Sequence, residues 1–408
     1  MGKHGKAVKD GGRMVRDDSE SLRKGAVKKS SAKPKEKPVA KTAKVDIECV
    51  VPLKLQQLTL NIFKDTFSEV LTSESLPTLL QEVKGRLYER DFEGAFGRKD
   101  YLEAYSVRWS PSRALCYQSI LVDLLQYISA IFPACQNEKK RDIPSLRVIA
   151  FGGGAAEVVA FGAFLRHVLD TTQPLAIHGA GLNLDSLTIT DSGTGAASVS
   201  EGSGSIDREI DLVLVDSADW KDVSLKLSSG LFTIPILSKY ANAAARQTNI
   251  PLLNDGSLES TFVMANALEL DRQQLLDLVG RERPLITLLF TLNELYTASI
   301  SKTTKFLLNI TSAVDAGTLL LIVDSPGSYS ETTFGPAGNT EAPKKYPMKW
   351  LLEHALLGYE TPRGQESPIN LWEKVVSDDS KWFRVHESLR YPIPIENMRY
   401  QLHLYRRI

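Results

Sequence analysis

Apolar residues recur every three or four positions after residue 53, which is the spacing of one face of a helix. The first such stripe consists of Leu55, Leu58, Ile62, Phe63, Phe67, Val70 and Leu71. Further helical stripes follow Ser75 and Pro111, and no segment up to residue 135 has the pattern of a strand. We therefore predict a helical N-terminal extension over residues 47–140.

From residue 147 short apolar runs alternate with helical patterns. The predicted strands are 147–151, 211–215, 261–265, 285–290, 318–323, 382–387 and 398–405. The predicted helices between them are Val158–Leu169, Asp271–Val279, Phe306–Val314, Met348–Leu357 and Leu371–Val376. This alternation predicts an α/β fold, a seven-stranded sheet with helices on both faces. Because only a loop with Pro392 and Pro394 joins the last two strands, the last strand is expected to be antiparallel.

Two insertions interrupt the predicted α/β domain, which spans residues 141–408. Residues 178–206 are rich in Gly, Ser and Thr, and we interpret them as a disordered spacer. Residues 327–346 form a second long loop after the fifth strand, where a substrate loop would lie.

The chain is formally neutral, with 49 Lys+Arg and 49 Asp+Glu among 408 residues, but its charge is unevenly placed. Residues 1–45 hold fourteen basic and five acidic residues, so the remainder is acidic overall. Residues 1–46 also lack the apolar side chains that a core needs, and we predict that they are disordered. This basic tail is interpreted either as a nuclear address or RNA tether, or as a segment that only aids solubility.

Several classes of protein are disfavoured by the composition. Cys49, Cys116 and Cys135 are widely spaced and form no disulfide or zinc pattern, which favours a reducing compartment. The six histidines have no metal-ligand spacing, so no metal site is predicted. The chain has no apolar run of about 18 residues and no signal peptide, and we expect a soluble intracellular protein without a membrane partner.

A glycine-rich turn joins the first predicted strand to the helix that follows it. Gly152, Gly153 and Gly154 permit positive φ angles and the close approach of a ligand, and Glu157 lies at the start of the helix. The N–H groups of that helix start suit a negative or polar ligand group. The alternative is that the glycines serve packing alone.

The second predicted strand ends in Asp216. An acidic side chain at this place in such sheets accepts hydrogen bonds from the ribose hydroxyls of a bound nucleoside. The separation from the glycines exceeds the usual ~20 residues because the insertion at 178–206 lies between them. The residues alone thus predict a nucleoside-binding α/β domain.

These features together resemble the class I S-adenosylmethionine-dependent methyltransferases, in which the glycine turn and the ribose carboxylate hold the cofactor. Asp315–Asp324 is similar to the helix-end glycine and fifth strand of that superfamily. The chain departs from the superfamily pattern at two positions. Ala150 replaces an acidic residue expected to contact the methionine ammonium group, and Asn266 places an amide where an acid commonly recognises adenine.

Three blocks carry a closer resemblance, to the fungal large-subunit (25S) rRNA uridine-N(3) methyltransferases. They are Arg108–Tyr117, Leu212–Trp220 and Phe290–Tyr296, and the similarity covers residues 53–408 apart from the insertions. The resemblance implies methyl transfer from S-adenosylmethionine to N(3) of one uridine in the large-subunit rRNA or a pre-ribosomal particle. It also implies a protein of the nucleus or nucleolus, with the cytoplasm as a second compartment.

The first of these blocks contains a candidate RNA or pocket site. Ser110 and Pro111 are typical of a helix entry, with serine as the cap and proline in the first turn. Arg108 and Arg113 flank that entry and could clamp a phosphate or a carboxylate, with Trp109 beside them. The alternative is a capped structural helix with solvated arginines and Trp109 in the core.

Candidate catalytic residues follow the fourth and fifth predicted strands. Methylation of uridine at N(3) requires loss of a proton from a weakly acidic imide. Glu294 could take that proton, Asn293 could orient the base, and Asp324 could shape the entrance of the same crevice. Alternatively, Asn293 and Glu294 only cap the next helix.

Two other functions fit the same residues. One is a class I methyltransferase that acts on a protein or a small molecule. The other is a ribosome-assembly factor that has the methyltransferase fold without the chemistry, which the departures at Ala150 and Asn266 leave open.

Overall fold

The computed structural model describes residues 51–132, 145–172, 209–280, 283–327, 329–332, 344–358 and 371–408, except 238 and 248. The predicted basic tail (1–46) and spacer (178–206) lie outside the described residues. The division at residue 140 between extension and α/β domain stays a prediction.

Seven helices occupy residues 53–128, and no strand occurs in the described part of this region, as predicted. They are α1 (Leu53–Thr66), α2 (Ser68–Thr72), α3 (Leu76–Tyr88), α4 (Phe92–Phe96), α5 (Lys99–Arg108), α6 (Ser110–Asp123) and α7 (Leu125–Ile128). The later helices are α8 (Ala155–Thr172), α9 (Lys221–Phe232), α10 (Ala243–Gln247), α11 (Arg272–Val279), α12 (Leu292–Ala298), α13 (Ile300–Ala313) and α14 (Met348–Leu357).

A seven-stranded mixed sheet forms the centre of the fold. Its strands are β1 (Ser145–Phe151), β2 (Glu209–Asp216), β3 (Leu258–Met264), β4 (Leu285–Leu289), β5 (Leu319–Asp324), β8 (Trp372–Phe383) and β9 (Met398–Arg407). Their order is β3-β2-β1-β4-β5-β9-β8, with β1 to β5 parallel and β9 antiparallel to both neighbours. The predicted fold class is therefore confirmed.

Alternation along the strands divides the core between the two faces of the sheet. Val148 and Ala150 point into the core that contains the extension, α8 and α9, while Ile149 and Phe151 point into the core beneath α11 to α14. Both faces are covered, as a parallel sheet requires. The register sets Phe151 opposite Val215 and Leu288, so the carboxyl ends of β1, β2 and β4 meet at one edge.

Two sequence predictions in the C-terminal half are wrong. Leu371–Val376 was expected to be a helix, and the sixth strand was placed at 382–387, whereas β8 occupies Trp372–Phe383. The ladder between β8 and β9 shifts register twice, and such bulges disturb the two-residue period by which a strand is recognised. The loop predicted at 327–346 contains a two-stranded hairpin, β6 (Tyr329–Thr332) and β7 (Lys344–Pro347).

The connection between β8 and β9, residues 384–397, fastens the C-terminal hairpin to the N-terminal helices. The Tyr391 hydroxyl donates a hydrogen bond to the carbonyl of Val107 at the end of α5 (3.0 Å). The backbone N–H of Glu396 donates to Ser112 Oγ in the first turn of α6 (3.0 Å). The position of α6 therefore depends on residues almost 300 positions away in the chain.

Candidate active site

The glycine turn adopts a conformation that other residues would resist. Gly152 has a φ of +72°, and a Cβ there would collide with the side chain of Thr291. A Cβ on Gly153 would lie 2.8 Å from the carbonyl oxygen of Ala150, and one on Gly154 would lie 3.0 Å from the ring of Trp220. Packing thus explains part of the need for glycine, as the alternative interpretation held, and Gly152 and Gly154 also line a cavity.

This cavity, of about 730 Å³, opens at the carboxyl edge of the sheet, between β1 to β4 and the helices α3 to α6. Its volume falls within the ordinary range of small-molecule sites. The predicted residues that it brings together are Trp109, Arg113, Gly152, Gly154, Glu157, Asp216, Asn266 and Glu294. Gly153, Arg108, Asn293 and Asp324 are not among the described residues that line it.

Asp216 lies at the carboxyl end of β2 on the wall of the cavity. Its Oδ1 accepts a hydrogen bond from the backbone N–H of Ala218 at 2.7 Å. Burial raises the pKa of Asp216 to about 6, although the Ser217 and Ala218 N–H groups act in the opposite direction. The carboxylate is thus oriented and can accept further hydrogen bonds from a ligand.

Glu157 supports the glycine turn from within. Its Oε2 accepts a hydrogen bond from the N–H of Gly154 at 2.8 Å, and the side chain is buried. Burial raises the pKa of Glu157 to about 7, while that hydrogen bond and the positive charge of Arg113 oppose the rise. Glu157 therefore fixes the turn and carries a variable charge near neutral pH.

The two predicted arginines have different environments. Arg108 pairs with Glu396, and its guanidinium lies 5.6 Å from the centre of the Trp109 ring. Arg113 lies in the cavity between the rings of Tyr105 and Phe290, 5.5 and 5.3 Å from their centres. No carboxylate of the described residues forms an ion pair with Arg113. Its positive charge is therefore available to a ligand.

The start of α6 differs in detail from the sequence prediction. Pro111 lies in the first turn, as expected, but Ser110 is the first helical residue and makes no capping hydrogen bond. Instead α6 follows α5 almost directly through Trp109, whose N–H bonds to the Tyr105 carbonyl (3.0 Å). The hydroxyl that bonds outward from this turn is Ser112, to the loop 384–397.

Asp324 organises the neighbouring backbone. Its Oδ2 accepts a hydrogen bond from the N–H of Asn293 (2.9 Å), and its Oδ1 accepts one from Ser325 (2.7 Å). The side chain is buried, and burial raises its pKa to about 6. These contacts hold the start of α12 against the end of β5, which supports a positioning role for Asp324.

Asn293 and Glu294 leave two buried acceptors unused. Within the described residues neither Oδ1 of Asn293 nor Oε2 of Glu294 has a hydrogen-bond partner. Burial raises the pKa of Glu294, and the positive charge of Arg90 opposes that rise. Buried polar atoms are almost always paired, and of these two residues only Glu294 lines the cavity, where its free oxygen could accept a hydrogen bond from a ligand.

An aromatic wall completes the cavity, and sequence reasoning missed most of it. Trp220, Tyr105 and Phe96 surround one another at ring-centre distances of 5.0 to 5.8 Å. Phe290 has a φ of +58°, a strained backbone conformation for a bulky residue, and contacts Arg113. Trp220 ends the Leu212–Trp220 block. An aromatic residue that closely follows Asp216 was therefore the feature of the sequence from which this wall could have been predicted.

Asn266 uses its side chain locally. Its Oδ1 accepts a hydrogen bond from the N–H of Leu268 at 3.0 Å and caps a short turn after β3. Ala150 is buried in β1, beneath the glycine turn. Asn266 thus has a structural role in this chain, and Ala150 is part of the packed core.

Within the described residues no group of three or more His, Cys, Asp or Glu side chains is placed to hold a metal. No single described helix is long and apolar enough to cross a membrane, and only the sharply bent pair Ser110–Asp123 and Leu125–Ile131 meets those criteria jointly.

The cavity matches a nucleoside cofactor that carries hydroxyl, amino and carboxylate groups. It combines a carboxylate acceptor at Asp216, an unpaired cation at Arg113 and the glycine turn. The sheet order β3-β2-β1-β4-β5-β9-β8 with one antiparallel strand defines the class I methyltransferase fold.

Comparison with known families gives the same result. The family model described as a SAM-dependent methyltransferase matches residues 63–406, and the chain belongs to this family. The protein is therefore a methyltransferase that uses S-adenosylmethionine. A relative from Saccharomyces cerevisiae, the 25S rRNA (uridine(2843)-N(3))-methyltransferase, is 31% identical over 357 residues, which cover 86% of this chain and 85% of the relative.

Similar solved structures include two S-adenosylmethionine-dependent methyltransferases. The one from Methanosarcina mazei is 8% identical, covers 64% of this chain and 92% of its own, and has a TM-score of 0.30. The one from Anabaena variabilis is 10% identical, covers 76% and 93%, and has a TM-score of 0.31.

Proposed function

We propose that this protein transfers a methyl group from S-adenosylmethionine to N(3) of a uridine in large-subunit rRNA. The substrate is that of the Saccharomyces cerevisiae relative. The observation in the structure that carries the proposal is the carboxylate of Glu294, which faces the cofactor cavity with an unpaired, buried oxygen and a raised pKa. A base of this kind suits a substrate that must lose an imide proton.

Separate residues of the chain bind the cofactor and act on the uridine. Asp216 accepts hydrogen bonds from the ribose hydroxyls, and Arg113 pairs with the carboxylate of the methionine moiety. When bound, S-adenosylmethionine supplies a methyl group on a positively charged sulfur. Glu294 accepts the uridine N(3) proton, and the Asn293 amide orients the ring. The target base must leave any stack to reach the cavity, and much of the rate then comes from positioning.

Phe290 also lines the cavity, and its ring centre lies 5.3 Å from the Arg113 guanidinium. Asp324 holds the start of α12 and with it Asn293 and Glu294, through its hydrogen bond to the Asn293 N–H.

The test of this function is methyl transfer from tritiated S-adenosylmethionine to total rRNA lacking the modification, to protein and to small metabolites. We expect the label in the large-subunit rRNA, recovered as N(3)-methyluridine after nuclease digestion. Label in protein or metabolites would establish the first alternative function. No transfer to any of these substrates, with the cofactor bound, would contradict the proposal and favour the second alternative, an assembly factor without the chemistry.

The proposed partner is large-subunit rRNA, either free or within a pre-ribosomal particle. The proposed location is the nucleus or nucleolus, where this rRNA is made, with the cytoplasm as a second compartment. The basic residues of the predicted tail, 1–46, are consistent with both proposals, because basic clusters serve as nuclear addresses and bind RNA phosphates.

Arg113→Gln tests the proposed carboxylate contact. We expect weaker binding of S-adenosylmethionine, by about tenfold or more, because a charge-assisted hydrogen bond is lost. Binding of 5′-methylthioadenosine, which has no carboxylate, should change little. Calorimetric titration of both ligands makes the comparison, with Arg108→Gln as the control. Equal losses for the two ligands would argue against a carboxylate contact.

A further inference from the structure

The end of α3 and the turn after it carry two side chains at the mouth of the cavity that the cofactor site does not use. Tyr88 and Arg90 both line the cavity, yet the Tyr88 side chain is 90% exposed. Within the described residues no hydrogen bond or ring contact involves Tyr88. An aromatic ring exposed at a cavity mouth without a packing role is available to a ligand.

Arg90 stands where a glycine is expected. The N–H of Asp91 bonds to the Arg86 carbonyl (2.9 Å), and that of Arg90 bonds to the Leu87 carbonyl (3.2 Å). This pair of bonds is the Schellman ending of a helix, whose left-handed residue is usually glycine. Arg90 occupies that position with a φ of +58°. The protein tolerates this backbone strain, and the Arg90 guanidinium lies at the cavity.

A hydrogen bond holds this guanidinium against α12, the helix that carries Glu294. Arg90 Nη1 donates a hydrogen bond to Thr297 Oγ1 on α12 at 2.9 Å. Arg90 also lowers the pKa of Glu294 by its charge, against the larger effect of burial. No carboxylate of the described residues forms an ion pair with Arg90.

We propose that Tyr88 and Arg90 bind the nucleotide next to the target uridine, with the Tyr88 ring stacked on its base and Arg90 on its phosphate. This inference rests on the proposed RNA substrate. The target base itself must enter the cavity to meet the methyl group, so a ring at the mouth meets its neighbour. Stacking on exposed aromatic rings together with basic contacts is the usual way of holding unpaired RNA.

The first test measures binding of fluorescein-labelled oligouridylate by anisotropy, using the full-length protein. Tyr88→Ala should weaken binding by about five- to hundredfold, because one stacked base is lost. Tyr88→Trp should restore it. Tyr240→Ala is the matched control, since Tyr240 is also highly exposed (83%) but does not line the cavity. Cofactor affinity should stay the same in all three variants.

The second test uses Arg90→Gly, which relieves the backbone strain. Its melting temperature should be no lower than that of the wild type, because glycine favours this position. Its RNA affinity should nevertheless fall, and the slope of log affinity against log salt should decrease by about 0.7, as for one lost phosphate contact in single-stranded RNA. A residue with a purely structural role would leave that slope unchanged.

Wild-type RNA affinity in Tyr88→Ala, or failure of the wild-type protein to bind oligouridylate, would overturn the inference. An unchanged salt slope in Arg90→Gly would overturn the phosphate contact. A different result would contradict the proposed function. In that case the wild-type protein would form no N(3)-methyluridine, whether or not RNA binding depends on Tyr88.

Discussion

Glu294→Gln should slow the single-turnover methylation step by about 10²–10⁴-fold, which is the usual effect of losing a general base. The amide keeps the shape of the side chain but cannot accept the imide proton. The defect should shrink as the pH rises, because uridine then ionises without help. Rapid-quench measurement of methyl transfer to the rRNA substrate, over a range of pH, provides the test.

The pH profile of the wild-type protein offers a second check. Burial raises the pKa of Glu294, so the protonated, inactive form should persist to higher pH than for an ordinary glutamate, and the rate should increase as the carboxyl ionises. Glu259→Gln, at an exposed position of β3, is the control and should leave both rate and profile unchanged. A normal single-turnover rate in Glu294→Gln would mean that Glu294 is not the base, since it does not cap α12 either, and that Asn293 and positioning carry the reaction.

Asp216→Ala should weaken S-adenosylmethionine binding by more than tenfold, a loss of more than ~1.4 kcal/mol. The substitution removes the carboxylate proposed to accept hydrogen bonds from both ribose hydroxyls. The Ala218 N–H, which donates to that carboxylate in the wild type, becomes free to bind water. Because burial raises the pKa of Asp216 to about 6, wild-type affinity should also fall as the pH drops below that value. Calorimetric titration of the two proteins from acidic to neutral pH measures both effects.

Thermal stability provides an independent test of the raised pKa of Asp216. A carboxyl whose pKa is raised in the folded state favours folding when protonated, and its stabilising effect is lost as the pH rises through about 6. Asp216→Asn should therefore melt at no lower temperature than the wild type at neutral pH while it binds the cofactor poorly. Asp219→Ala, an exposed acid three residues further on, is the control for binding. Unchanged cofactor affinity in both Asp216 variants would remove Asp216 from the site.

The parts of the fold that follow from local pattern could be predicted. The apolar runs of β1, β2, β4 and β5 are short and bounded, and parallel strands must end at one edge. Asp216 and Glu294 lie at or just after the carboxyl ends of β2 and β4. Their presence in one cavity could therefore be inferred from the sequence alone. The same reasoning placed the glycine turn beside them.

Long-range contacts account for what could not be predicted. The bulges of β8 follow from its pairing with β9, and the segment itself mimics a helical stripe. Arg108 looked equivalent to Arg113 in the sequence, but a glutamate 288 positions away neutralises only Arg108. The lining from Leu87 to Phe96 belongs to helices whose position over the cavity depends on tertiary packing.

The place of β9 in the sheet has a consequence for the order of events during protein synthesis. β9 lies between β5 and β8, and the loop before it fastens α6, which carries Arg113. Until residues 398–407 leave the exit tunnel, the edge of β5 stays unpaired and α6 lacks its outer support. The nascent chain should therefore complete its cofactor cavity late, and in that interval the unpaired edge of β5 is open to pairing with other chains.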